Sequence, residues 1–154
     1  EEQEYVIVER MTGEPPAVAE VATTAQLAEL QRECRRNYVD PGLVQYAVRL
    51  SAATRHPARY GIGELARYIA FGASPRATIH LVEGARALSF LRGRDYVLPE
   101  DLVDLAPDVL RHRLVLTYEA LSEGETPDAL IRRVMQAVPA PARPLAEHAA
   151  LAGS

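Results

Sequence analysis

The chain has 154 residues and a mass of 16.9 kDa, with 48% hydrophobic and 25% charged residues. This length fits one domain with short tails, and the composition excludes a wholly disordered chain. Seventeen basic and 21 acidic residues give 17 − 21 = −4, and such a mildly acidic balance is not typical of a non-specific nucleic-acid binder.

The residue types that are missing exclude several chemistries. There is no lysine, so the chain holds neither a Schiff-base lysine nor a G-x-x-x-x-G-K-[ST] phosphate-binding loop. The single cysteine, Cys34, excludes an internal disulfide, and we expect it to be a small buried hydrophobe. No apolar run approaches the length of a membrane span. Because the sequence starts at Glu1 without a signal-peptide pattern, we expect a piece of a longer protein.

Three regions are expected along the chain. Residues 1–14 carry an apolar run that does not decide between helix and strand, and the run ends at Gly13 and Pro15. This segment has the character of the tail of an upstream subdomain. Residues 15–138 form the main domain. Residues 139–154 are rich in alanine and proline and are expected to form a loosely ordered tail.

Helix starts are marked by a capping residue followed by proline. The pattern occurs at three places: Asp40-Pro41, Ser74-Pro75 and Thr126-Pro127. With threonine N-caps at residues 23 and 24 and the acidic turn after Pro99, helices are predicted to begin near residues 24, 41, 75, 99 and 127. The first of them is expected to end near Asn37, the second near Arg55 and the third near Arg92.

Apolar spacing predicts which side of each helix is buried. In the second helix the predicted face consists of Leu43, Val44, Ala47, Val48 and Leu50. In the third it consists of Ile79, Val82, Ala85 and Leu88 or Ser89, and it is widened by Leu81, Leu88 and Leu91. Gly93 is predicted to end the third helix.

The connections contain two short β runs. Residues 58–73 are predicted to be irregular, with a short helix over Glu64 to Phe71. Residues 96–98 and 114–116 are predicted to pair as a ribbon. These elements give a mainly α fold, a bundle of four to five helices with a small two-stranded β ribbon.

Most side-chain arrangements that carry catalysis are absent from the sequence. The four histidines have no i, i+4 spacing, so no metal site is expected. Asp101 and Asp104 are predicted to be helix-surface carboxylates rather than a catalytic pair. The cluster Arg111-His112-Arg113 is expected at a helix end, where positive charge suits the helix dipole.

The segment Gly72-Ala73-Ser74-Pro75-Arg76 is the unusual one. It places Arg76 in the first turn of a strongly apolar helix. Because a helix N-terminus carries partial positive charge and free N–H groups, an arginine there is disfavoured unless an anion binds as well. Together they would form a phosphate-binding corner with a bidentate guanidinium. The alternative is an arginine that reaches into solvent or pairs with a nearby carboxylate.

Several ordered motifs resemble the C-terminal lid of MoxR-type AAA+ ATPases, over about Leu27 to Val138. They are Tyr46 with Thr54-Arg55-His56-Pro57, Gly72 to Ala77, Ala85 to Leu88, Gly93 to Val97, Pro99 to Asp101, and Leu110 to Leu114. Residues 1–14 resemble the tail of the preceding nucleotide-binding α/β subdomain.

The resemblance implies a role for Arg76 as the sensor-2 arginine, directed at the γ-phosphate of ATP. Ser74 and Pro75 would complete the nucleotide-facing helix start, with Ser74 as the cap, and Ala73 and Ala77 would serve packing. Loss of the γ-phosphate would release the contact and let the lid rotate. The parent would use ATP and Mg²⁺ through its large subdomain. This chain alone is therefore expected to be inactive and to bind no cofactor tightly.

The same resemblance implies a cytoplasmic, chaperone-like machine. Its partners would be the upstream nucleotide-binding subdomain, other copies in a hexameric ring and proteins with von Willebrand factor A domains. No nucleic acid and no membrane span are expected. Arg59 and Arg67 are expected on a surface loop, with a contact to a neighbouring subunit or a partner protein as the alternative.

Two other functional interpretations remain. One is a stand-alone helical protein-interaction module or a winged-helix-like DNA-binding module, which the acidic balance and the lack of a basic recognition helix disfavour. The other is a stand-alone metal enzyme or hydrolase, for which the ligand and triad spacings are missing.

Overall fold

The computed structural model describes residues 2–13 and 19–142. The described residues form two compact units, divided after Gln31. The first unit contains α1 (Glu2–Thr12) and the beginning of α2 (Thr24–Arg36). None of the α1 side chains is buried, so a segment that sequence left open between helix and strand is an exposed helix. The predicted tail lies outside the described residues from 143 onward.

Helix α2 begins with a reciprocal pair of hydrogen bonds. The N–H of Gln26 donates to Thr23 Oγ1 over 3.2 Å, and the N–H of Thr23 donates to Gln26 Oε1 over 2.8 Å. This capping box confirms Thr23 as the N-cap. The buried position expected for Cys34 is wrong, because its side chain is only partly covered and Leu27 and Leu30 on the same helix are half exposed.

The second unit is a mainly α bundle, which confirms the predicted fold class. Its helices are α3 (Pro41–Arg55), α4 (Pro75–Leu91), α5 (Pro99–Leu110), α6 (Tyr118–Ser122) and α7 (Pro127–Ala137). Its strands are β1 (Ile69–Phe71) and β2 (Val115–Leu116), and single 3-10 turns cover Pro57–Tyr60, Gly63–Arg67 and Arg111–Arg113.

The helix starts follow the predicted capping chemistry, with one exception. The Asp40 carboxylate accepts from the Gly42 N–H over 2.7 Å at the start of α3, and the Thr126 hydroxyl accepts from the Ala129 N–H over 3.2 Å at the start of α7. Ser74 occupies the N-cap of α4, but its side chain makes no capping hydrogen bond. The capping role predicted for Ser74 is therefore wrong.

The core lies where α4 packs against α3 and α5, and where α7 packs against the same two helices. Its largest fully buried apolar side chains are Tyr46, Leu50, Leu65, Leu81, Val97, Leu102, Leu110, Leu130, Ile131 and Val134. Because these residues come from every long helix of the second unit, burial of one shared apolar core holds that unit together.

Two predicted helix faces need correction. In α4 the buried residues are Ala77, Leu81, Ala85 and Ser89, at a spacing of four. Ile79 lies two residues from Ala77, hence on the opposite side, and is 56% exposed, while Leu91 is 81% exposed. In α3, Leu43, Ala47 and Leu50 are buried as predicted, whereas Val44 and Val48 are exposed and Tyr46 lies in the core.

The ribbon exists, but its predicted pairing is wrong. Strand β1 pairs antiparallel with β2, with Ile69 opposite Leu116 and Phe71 opposite Val115. The helix predicted over Glu64 to Phe71 is a 3-10 turn followed by this strand. Residue 96 instead forms an isolated parallel bridge with Tyr38.

The loop between α4 and α5 is closed by glycine. Gly93 has φ +71°, and the N–H groups of Gly93 and Arg94 donate to the carbonyls of Phe90 and Ser89. This arrangement satisfies carbonyls at the end of α4 and confirms Gly93 as its stop.

Within residues 2–13 and 19–142, no helix combines the length and hydropathy needed to cross a membrane.

Candidate functional site

The start of α4 is fastened to the end of α3. A Cβ atom placed on Gly72 would lie 2.4 Å from the carbonyl oxygen of Thr54 and 2.7 Å from the backbone nitrogen of Arg55, so only glycine fits. The N–H of Ala73 donates to the buried Thr54 Oγ1 over 2.9 Å, and the Arg55 guanidinium donates to the carbonyl of Ala73. Gly72 is therefore a close-packed joint between the end of α3 and the start of α4.

Arg76 lies in the first turn of the helix that this joint holds. Its side chain is exposed, and no described residue forms an ion pair or hydrogen bond with it. The carboxylate partner that would have explained Arg76 structurally is thus missing from the described part of the chain. A guanidinium beside the free N–H groups of a helix start is free to accept an anion.

The neighbours of Arg76 divide into exposed and buried groups. Ser74 and Pro75 are exposed at the helix start, on the chain immediately before the arginine. Ala73 and Ala77 are fully buried, so they pack against the core and are closed to any ligand. The packing role predicted for these two alanines fits their burial.

Asp101 departs most from the sequence interpretation. It is fully buried rather than on the helix surface, and it binds Arg92 over 2.7 Å and Arg94 over 2.6 Å. Its other oxygen accepts from the Leu98 N–H over 2.8 Å at the start of α5. Burial alone would raise the pKa of Asp101, but the hydrogen bonds from Arg94, Leu98 and Arg92 outweigh burial and hold that pKa below its usual value.

Sequence reasoning missed this cluster because an acidic residue in a first helical turn usually faces solvent. A signal was present: Asp101 stands three residues after Leu98, the spacing at which an acid reaches back to the N-cap N–H. Asp104, half-exposed, completes the cluster by accepting from Arg92 over 2.6 Å. The arrangement ties the end of α4 to the start of α5, and the expected surface position holds for Asp104 alone.

A second ion-pair group joins the loop before β1 to α6. Arg67 binds Glu119 over 3.2 Å and Glu123 over 3.4 Å, and the Tyr68 hydroxyl donates to Glu123 over 2.6 Å. The hydrogen bond to Glu123 raises the pKa of Tyr68. Both arginines are exposed as expected, and Arg67 is in addition paired within the domain.

The basic cluster after α5 has structural partners as well. Arg111 pairs with Asp108 over 3.0 Å and with Asp128 over 2.8 Å, while Arg113 donates to the Val109 carbonyl over 2.6 Å. These contacts match the helix-end role expected for the cluster. The two carboxylates neutralise Arg111, whereas Arg113 keeps its charge and is held by a backbone carbonyl.

Among residues 2–13 and 19–142, no group of three or more histidine, cysteine, aspartate or glutamate side chains is placed to hold a metal ion.

Comparisons with known proteins give the chain its family. Residues 65–134 match the family model described as AAA lid domain. The chain is 45% identical over 140 residues to Chaperone MoxR1 of Mycobacterium tuberculosis, covering 91% of this chain and 37% of that protein. It is 39% identical over 111 residues to Protein MoxR of Paracoccus denitrificans, covering 68% and 32%. The chain carries the lid domain of a MoxR-family AAA+ ATPase.

A solved structure supports the lid at the level of the fold. A protein of Cytophaga hutchinsonii, named only provisionally as an ATPase, superposes with a TM-score of 0.78 at 35% identity, over 92% of this chain and 43% of that one. The lid chain spans roughly a third of the length of the curated relatives named above. Arg76 falls inside the segment that matches the family model, whereas Thr54 and Arg55, which hold its helix, lie outside that segment.

Proposed function

We propose that this lid closes over ATP bound to a neighbouring nucleotide-binding subdomain and that Arg76 contacts the γ-phosphate as a sensor-2 arginine. The observation that carries the proposal is the state of Arg76: exposed, without a partner among the described residues, and on a helix whose start is fixed to α3. A guanidinium in this position offers two parallel N–H donors to phosphate oxygens.

The proposed contact links chemistry to motion. Arg76 would bind the γ-phosphate in ATP and would stabilise negative charge during phosphoryl transfer. After hydrolysis the γ-phosphate leaves, the contact is lost and the lid is free to rotate. This chain supplies the arginine and the helix start with Ser74 and Pro75. The phosphate-binding loop would lie in the other subdomain, because this chain has no lysine for such a loop, and Mg²⁺ would bind there with the nucleotide.

The exposed α1 helix supports an attachment to that subdomain. Tyr5, Ile7 and Met11 are more than half exposed on it, and an apolar set of this size suits a protein surface that covers it. Residues 1–14 would then be the end of the nucleotide-binding subdomain. Assembly into a hexameric ring, von Willebrand factor A domain partners, a cytoplasmic location and chaperone-like work rest on the family alone, in which one relative bears the name chaperone.

The test is Arg76→Ala in the natural protein that contains this lid. We expect ATP turnover to fall by about one to two orders of magnitude, the loss of a charge-assisted hydrogen bond. Arg132→Ala is the matched control, because Arg132 is an exposed arginine of α7 with no partner among the described residues. Equal turnover in the two variants would refute the sensor role.

A further inference from the structure

The joint before α4 uses both polar backbone groups of one buried residue. Ala73 is fully buried, its N–H donates to Thr54 Oγ1 over 2.9 Å, and its carbonyl accepts from the Arg55 guanidinium. The side chains of Thr54 and Arg55, at the end of α3, therefore both form hydrogen bonds with the backbone of Ala73. Ala73 precedes Arg76 by three residues, so these bonds lie immediately before the helix that carries the arginine.

The hydroxyl of Thr54 is itself held in one orientation. It donates to the Ser51 carbonyl over 2.7 Å while it accepts from Ala73, and the side chain is almost fully buried. With its single proton committed to Ser51, the oxygen is left as the acceptor that Ala73 requires. The direction of the Ala73 N–H is thus set by the geometry of α3.

Backbone contact adds a third constraint. A Cβ atom placed on Gly72 would lie only 2.4 Å from the Thr54 carbonyl oxygen. The two backbones therefore touch without an intervening side chain. A shift or rotation of the chain at residues 72–73 would break two hydrogen bonds and open a gap in a close-packed contact. The start of α4 consequently moves together with the end of α3.

We propose that Thr54 and Arg55 are positioning residues that set the placement of Arg76 toward the γ-phosphate. This inference rests on the proposed function of Arg76. It adds that the contribution of Arg76 to γ-phosphate binding depends on how firmly the start of α4 is held in place. Small displacements of a phosphate-binding group reduce that contribution steeply. Thr54 and Arg55 act through Arg76 and do not bind nucleotide themselves.

The measurement is the ratio of ATP to ADP affinity in the natural protein, since only ATP has the γ-phosphate that Arg76 would contact. Arg76→Ala is expected to lower the ratio about tenfold or more. Thr54→Val, which removes the hydroxyl at nearly constant volume, is expected to lower it about threefold or more. Thr54→Ser keeps the hydroxyl, so its ratio of ATP to ADP affinity is expected to stay close to that of the natural protein.

Thr117→Val is the matched control for lost stability. The Thr117 hydroxyl also donates over 2.7 Å, to the Arg67 carbonyl, and accepts over 3.2 Å from the Ala120 N–H, but it caps α6 rather than the joint. A general loss of stability would affect Thr117→Val and Thr54→Val alike. The inference requires that the ratio falls in Thr54→Val and stays unchanged in Thr117→Val.

A double-mutant cycle separates the possible outcomes. If Thr54 and Arg55 act through Arg76, then Thr54→Val and Arg55→Met, which removes the donor to the Ala73 carbonyl, lower the ratio in the natural protein and have no further effect in the Arg76→Ala background. An effect of Arg55→Met that persists in that background would mean that Arg55 itself contacts nucleotide and would overturn its positioning role. Arg55→Met also keeps the test open should Thr54→Val fail to fold.

The two proposals fail in different ways. A ratio unchanged by Arg76→Ala would refute the sensor role, and the positioning role would fall with it. A ratio lowered by Arg76→Ala but unchanged by Thr54→Val or by Arg55→Met would leave the sensor role intact and overturn the positioning role of the residue that was changed.

Discussion

At the scale of single residues, the arginines of this chain differ in what surrounds them rather than in chemistry. Arg92 and Arg94 are held by the buried Asp101, and Arg111 lies between two carboxylates. Arg76, by contrast, has no partner among the described residues and stands on a rigid helix start. The motif Ser-Pro-Arg was enough to single out Arg76 from sequence, because its place in a first helical turn is unfavourable without an anion.

The burial of Asp101 could not be predicted in the same way. An acid early in a helix suits the dipole whether it faces solvent or the core, so its burial depends on which side of α5 packs against α4. That side is decided by the packing of the whole unit. The two arginines that compensate Asp101 lie in the preceding loop and helix end, where sequence alone does not indicate their direction.

Asp101→Asn should destabilise the chain by about 3 kcal/mol at pH 7, since it removes one partner of a buried ion pair. The pKa of Asp101 is lowered by folding, so its stabilisation is fully present above the unfolded value of about 4 and is lost as pH falls through the lower folded pKa. In urea unfolding, the gap between wild type and variant should therefore narrow as the pH falls below about 4.

Asp104→Asn provides the comparison, because Asp104 also binds Arg92 but is half-exposed. Its cost should stay below about 1 kcal/mol. The account of Asp101 would be wrong if both variants lost the same stability, or if the Asp101→Asn gap were as large at pH 3 as at pH 7.

At the scale of elements, helix boundaries were predictable and strand partners were not. Capping residues followed by proline located the starts of α3, α4 and α7 because both signals are local. The ribbon required a partner from a distant part of the chain, and runs of two or three residues carry no alternation that identifies it. The prediction therefore paired residues 96–98 with residues 114–116, whereas the strand that pairs with β2 is β1.

The joint between α3 and α4 was also beyond sequence reasoning. A glycine before a helix indicates a turn, but nothing local shows that Gly72 touches another backbone. The predicted face of α4 was wrong at Ile79 and Leu91 for a related reason. Apolar residues occur on both sides of α4, so the periodicity did not choose the side that faces α3 and α5.

Gly72→Ala should lower the free energy of unfolding by about 1–3 kcal/mol, because the new methyl group would overlap the backbone of Thr54 and Arg55. Gly63→Ala is the control, since its Cβ would meet only Ala58 at an ordinary 3.6 Å. That variant should stay within about 0.5 kcal/mol of wild type. Similar losses in the two variants on thermal or urea unfolding would contradict the close approach at residue 72.

At the scale of the whole molecule, the sequence motifs identified the lid, and the structure and relatives confirmed its fold. To predict a mainly α bundle with one small ribbon, it was enough to count the helices and to recognise that β runs are present. Errors in the exact bounds or pairing of these elements do not change the fold class. Neither α1 nor α2 has a buried side chain, whereas every long helix after α2 contributes to one core.

This chain by itself should show no saturable ATP binding at micromolar concentrations. One charge-assisted contact contributes about 1.5–3 kcal/mol, whereas micromolar affinity requires about 8 kcal/mol. Titration calorimetry of the 154-residue chain with ATP checks this directly. Tight binding would mean that a phosphate site other than Arg76 exists in the lid.

The close approach at Gly72 also determines how this lid tolerates changes in length. Residues 56–71 leave the end of α3 and return to it, so their two ends are joined whatever lies between them. Lengthening a loop whose ends are already fixed costs little free energy. The exposed turn at Gly61, with φ +75°, is thus a natural point for inserted sequence or a fluorescent reporter that leaves the α3–α4 geometry unaltered.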